Sequence, residues 1–75
     1  MQRLSVTLQC RASGGGSLKY YWERKESAHW ITVNTNNKMS SYITRTSGQY
    51  RCNVTNEVGS VISPVITVYG KLQVN

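Results

Sequence analysis

The feature that most constrains this chain is a two-residue alternation of apolar and polar side chains that returns in segment after segment. Over residues 4–10, Leu4, Val6, Leu8 and Cys10 fall on one face and Ser5, Thr7 and Gln9 on the other. Successive side chains of a strand point to opposite faces, so this is the pattern of a half-buried strand and not of a helix. The same phase returns at 18–24, where Leu18, Tyr20 and Trp22 oppose Lys19, Tyr21 and Glu23. It returns again at 49–55, where Tyr50, Cys52 and Val54 share a face. Residues 29–33 (HWITV) form a short segment rich in β-branched residues, and 39–43 (MSSYI) a weaker strand whose register the pattern leaves open. Residues 61–68 (VISPVITV) close the series, with Ile62, Pro64, Ile66 and Val68 expected on one side. Pro64 has no N–H to give a ladder, which places it at a sheet edge or a bulge.

The segments between these runs carry loop chemistry. SGGGS at 13–17 is a flexible loop, and NTNNK at 34–38 is a turn, because Asn tolerates left-handed backbone angles and bonds its own chain. NEVGS at 56–60 reads as a hairpin turn in which Gly59 supplies the positive φ. The expectation is an all-β chain of six or seven short strands, arranged as a two-sheet antiparallel sandwich.

Seventy-five residues make one small domain. A chain of this size buries only about 60% of its unfolded surface, so its core is marginal without a staple. Residues 1–69 are read as that domain, with its first strand truncated or missing, and 70–75 as a linker or remnant tail. No apolar run approaches the roughly 20 residues of a membrane span. The opening MQRLSVTLQC alternates like a strand and lacks a signal-peptide core, so the segment carries no targeting information of its own. Nine basic residues against three acidic ones give a net charge of +6, but only Arg24 and Lys25 are adjacent. Such scatter reads as a solvated surface that leans positive, with a heparin-like polyanion site as the sharper alternative.

Catalytic chemistry is thin. The three acids are Glu23, Glu26 and Glu57, there is no aspartate, and His29 is the sole histidine. Ser27 and His29 would share a strand face, yet no third group orients the imidazole, so no enzyme is expected. Two cysteines with one histidine lack the paired spacing of a zinc site, and SGGGS is followed by no helix start or Lys-Ser/Thr, so neither metal nor cofactor is expected.

The spacing of four residues carries a resemblance. Trp22 lies twelve residues after Cys10, Cys52 lies forty-two after Cys10, and Tyr50 stands two before Cys52. With GQYRCNVTNEVGS following the Gly-x-Tyr-x-Cys-x-(apolar)-x-Asn-x-x-Gly ending, the chain resembles an immunoglobulin-superfamily domain of I-set or C2 type, similar to adhesion-molecule and Fc-receptor-like ectodomains. The resemblance spans residues 4–68. It implies a Greek-key sandwich, a Cys10–Cys52 disulfide between the sheets, Trp22 packed on it, and Tyr50 fixing the entry to its strand through the hydroxyl. The family usually has Asp where this chain has Thr46, so the ion pair that often closes the bottom of such domains is not expected.

If Trp22 and Cys52 face the core, Lys19, Tyr21, Glu23, Arg51 and Val65 belong to the opposite, outer face, the candidate binding surface; exposed Tyr and Arg are enriched at binding hot spots. Trp30 is a second candidate contact or the cover of a sheet edge. Asn53-Val54-Thr55 is a glycosylation sequon on that same outer face. What the resemblance implies for function is an extracellular recognition module of a cell-surface (single-pass membrane) or secreted protein. Its partner would be another protein, homophilic contact included, with no nucleic acid and no membrane contact of its own. A structural spacer domain, intracellular muscle-type modules included, is the alternative, and a polyanion binder the third.

Overall fold

The computed structural model describes residues 5–69, and the tail 70–75 lies outside them. In chain order the strands are β1 (Val6–Gln9), β2 (Lys19–Glu26), β3 (His29–Thr32), β4 (Ser41–Thr44), β5 (Gly48–Thr55), β6 (Ser60–Ile62) and β7 (Ile66–Val68). No helix occurs among the described residues. Two antiparallel sheets result: β1 pairs with β4, while β3, β2, β5 and β6 follow one another in the second sheet, with β7 also on β5.

The alternation in sequence becomes the division between core and surface. Trp22 pairs across to Cys52, and both are fully buried with Tyr50. Leu8 and Cys10 come to the same core from the first sheet, and Val54 and Val68 from the second. Cys10 and Cys52 form a disulfide with Cα atoms 6.2 Å apart, which ties the end of β1 to the middle of β5. The buried Trp22 indole donates to the Ser40 carbonyl at 3.3 Å, so its polar edge is paired.

Tyr50 is anchored through its hydroxyl. Its hydroxyl donates to the Thr46 carbonyl at 2.7 Å and lies 2.9 Å from Thr44 Oγ1. The Thr46 amide donates to Thr44 Oγ1 at 3.1 Å. Gly48 opens β5 at φ +152°, a region that L side chains rarely adopt. A Cβ there would stand 3.4 Å from Arg24 Cδ, an ordinary contact, so the backbone angle and not crowding favours glycine.

Three local expectations are corrected. Gly59 has no positive φ; the turn at 56–60 is held by Asn56, whose Oδ1 accepts the amides of Val58 at 2.9 Å and Gly59 at 3.0 Å. Residues 61–68 are not one strand. Ile62 pairs with Asn53 and faces outward, whereas Ile66 pairs with Tyr50 and faces inward. The change of phase occurs at Ser63-Pro64-Val65, a bulge: the Cys52 amide donates to Ser63 Oγ at 2.8 Å while the Ser63 amide donates to the Cys52 carbonyl at 2.8 Å. Finally, Ser27 is not on a strand beside His29. It sits at φ 55° in the two-residue turn between Glu26 and His29, which pair across the hairpin.

Candidate protein-binding face

The outer face of the second sheet follows from its registers. Lys19, Tyr21 and Glu23 of β2 stand opposite Thr55, Asn53 and Arg51 of β5, and Glu23 and Lys25 stand opposite Thr32 and Trp30 of β3. Residues directly opposite in an antiparallel pair share a face, so these side chains project together, away from Trp22 and Cys52. Ile62 of β6 extends the face beyond Asn53 and is half exposed.

The centre of the face is a built array. Arg51 Nε donates to Glu23 Oε1 at 2.7 Å, and the Arg51 guanidinium carbon lies 4.2 Å from the centroid of the Trp30 ring. The two charged side chains retain only 25% and 15% of their exposure, so the pair is partly desolvated and less screened than a surface pair. Trp30 therefore covers Arg51, a contact the sequence treatment of Trp30 as a separate candidate missed. The contact depends on the hairpin turn at Ser27-Ala28, which the residues there do not signal and which sets Trp30 opposite Lys25 on the face that carries Glu23. Tyr21 is half-buried beside Asn53, Lys19 is exposed, and Val65 lies in the bulge between β6 and β7, half exposed and outside any ladder.

A residue read from the sequence only as part of a turn also shapes this region. Asn34 lies just beyond β3, and its side-chain amide takes the place of a strand neighbour: Oδ1 accepts the Trp22 amide at 2.8 Å and Nδ2 donates to the Tyr20 carbonyl at 2.9 Å. The Val33 amide adds a bond to the Trp22 carbonyl at 2.8 Å, so β2 is braced beside Tyr21 without a longer β3.

Arg24, on the inner-facing phase of β2, pairs with Glu26 at 2.7 Å, and that hydrogen bond, with a smaller contribution from Tyr50, holds the guanidinium above its ordinary pKa. Asn53 lies mid-strand with Oδ1 buried and, among the described residues, the only buried side-chain polar atom without a hydrogen-bond partner. A glycan on Asn53 would stand between Tyr21 and Ile62 and compete with any partner there. His29 is exposed at the β2–β3 hairpin, and among the described residues no cluster of His, Cys, Asp or Glu is arranged to hold a metal. No protein-family model, curated protein or solved structure matches the chain.

Proposed function

We propose that the chain is a non-catalytic immunoglobulin-like recognition module, a β-sandwich of I-set or C2 type. It serves as one domain of an extracellular adhesion or immune-receptor protein and binds another protein through the outer face of β2, β3 and β5. The immunoglobulin reading is supported by the disulfide between the sheets, by Trp22 opposite Cys52, and by the Tyr50 hydroxyl on the Thr46 carbonyl. The extracellular reading is supported by the disulfide, since such bonds persist in oxidising compartments.

The observation that carries the binding face is the Glu23–Arg51–Trp30 array beside Tyr21. It places an aromatic ring, a planar cation held in one orientation and a phenol on one sheet surface, and none of them belongs to the buried core. Holding Arg51 in place before binding lowers the entropy a partner must overcome, which is how a few residues come to dominate an interface. Arg51→Ala is an unsuitable probe by itself, because it strips Glu23 of its partner.

The test is staining of partner-bearing cells by the tetramerised domain, read by flow cytometry. Tyr21→Ala and Trp30→Ala should each weaken staining by more than about 1 kcal/mol in apparent affinity while the fold persists. Undiminished staining by both folded variants overturns the binding face and favours the spacer reading.

A further inference from the structure

The rung that crosses β2, β5 and β6 at Asn53 differs from its neighbours on the outer face. Tyr21 stands opposite Asn53 on one side and Ile62 on the other. Lys19 and the Glu23–Arg51 pair occupy the adjoining rungs, so charge lies to either side of this one and none on it. Tyr21 is half-buried, but Ile62 is 49% exposed, and an aliphatic side chain therefore meets water next to the Asn53 amide.

The packing of β5 does not call for an asparagine here. Asn is depleted in strands, and Thr or Val would suit a half-buried position of the ladder better. The Asn53 Oδ1 is buried and, among the described residues, has no hydrogen-bond partner, a cost with no return to the fold. The amide nitrogen is placed differently. Nδ2 is not among the buried unpartnered atoms and bonds no described residue, so it opens to solvent on the outer face. Thr55, two residues on, shares that face opposite Lys19.

We infer that Asn53 carries an N-linked glycan whose innermost sugar seats on the Tyr21 ring and the Ile62 side chain. Asn53-Val54-Thr55 is the acceptor signal, and the sugar bond forms at the amide nitrogen, the atom that the strand leaves open. The C–H face of a pyranose is apolar. A tyrosine ring on one side and an isoleucine on the other give that face apolar surface to cover, while the sugar hydroxyls stay in water. A chain so modified presents Trp30 and Arg51 without Tyr21, which narrows the binding face. That consequence rests on the recognition reading proposed above, whereas the attachment and its seat do not.

The test uses the disulfide-intact chain in two forms, one secreted by mammalian cells behind a cleaved leader and one made without glycosylation in bacteria. The secreted chain should be heavier by intact mass, and peptide-N-glycosidase should remove the excess. Thr55→Ser should keep the excess mass, and Thr55→Val and Asn53→Thr should each lose it; if one of these two fails to fold, the other decides. In the bacterial form, Asn53→Thr should leave the urea midpoint unchanged or raised. Hydroxyl-radical footprinting then compares the two forms. Labelling of Tyr21 and Ile62 should fall severalfold in the glycosylated chain, with the exposed Ile43 and Tyr69 unchanged. A secreted chain without sugar overturns the attachment. A marked fall in the midpoint of Asn53→Thr overturns it as the reason for an asparagine at this position. Equal labelling of Tyr21 and Ile62 in the two forms overturns the seat. None of these readouts involves a partner, so a failure of the binding face would leave them all unchanged.

Discussion

Replacing both cysteines by alanine isolates what the disulfide contributes. The two residues are separated by 42 positions, and the closed loop removes conformational freedom from the unfolded chain. The loop-entropy relation, 2.1 plus 1.5R ln n, gives about 13 cal/mol/K for this loop, or about 4 kcal/mol at room temperature. Set against it, a 75-residue chain has a total stability on the order of 4–11 kcal/mol. The variant also loses sulfur atoms from the fully buried Cys52 and the nearly buried Cys10, whose packing on Trp22 adds to the loss. Cys10→Ala/Cys52→Ala should therefore shift the urea midpoint far down or abolish the cooperative transition. The assay is urea unfolding followed by Trp fluorescence, for the oxidised protein, the reduced protein and the double variant. Both routes should destabilise strongly, substitution the more so because it also removes the buried sulfur atoms. Loss of less than about 1 kcal/mol on both routes would refute the reasoning, because it would mean that the core holds the sheets together without the bond.

Further expectations follow from the buried and half-buried groups. Trp22→Ala should cost about 3–5 kcal/mol by denaturant unfolding, the range for truncating a buried Trp, whereas Trp30→Ala, half-exposed over Arg51, should cost no more than about 2 kcal/mol, the upper range of a cation–π contact; the reverse order would show the strand phase to be wrong. Tyr50→Phe deletes the hydroxyl that reaches the Thr46 carbonyl and should cost about 1–3 kcal/mol with no change in partner binding. In a double-mutant cycle on Glu23 and Arg51, each truncation should cost more alone than in the presence of the other, with a coupling energy above about 0.5 kcal/mol by thermal unfolding. Additive effects would show that the pair is merely adjacent.

How much was legible in the sequence depended on whether the information was local. The period-two pattern located all the long strands, because a strand's two faces are written in adjacent residues: Tyr50, Cys52 and Val54 are buried, and Gln49, Arg51 and Asn53 turn outward. Pro64 was placed at a bulge or edge for want of an N–H, and a bulge is where it lies. The side to which Ile62 turns was not legible. It depends on the Ser63 hydroxyl taking the Cys52 amide, a contact across eleven residues of chain. Gly59 looked like the turn-maker, yet the Asn56 side chain does that work by capping two amides, and nothing in NEVGS ranks one device above the other. The Trp30–Arg51 stack was hidden for the same reason. It needs the offset between β2 and β3, which a left-handed Ser27 fixes, and serine does not advertise that conformation.

The central claim is that recognition runs through the outer face of the second sheet. A photocrosslinking phenylalanine analogue in place of Tyr21, with the same substitution at Ile43 as control, tests it directly. Ile43 is 65% exposed on β4, between Tyr42, packed against the core, and the buried Thr44, so it marks the outer face of the other sheet. On partner-bearing cells the account predicts one discrete crosslinked species from the Tyr21 position, displaced by excess unlabelled domain, and none from the Ile43 position. Crosslinks of equal yield from both positions, or from Ile43 alone, would contradict it.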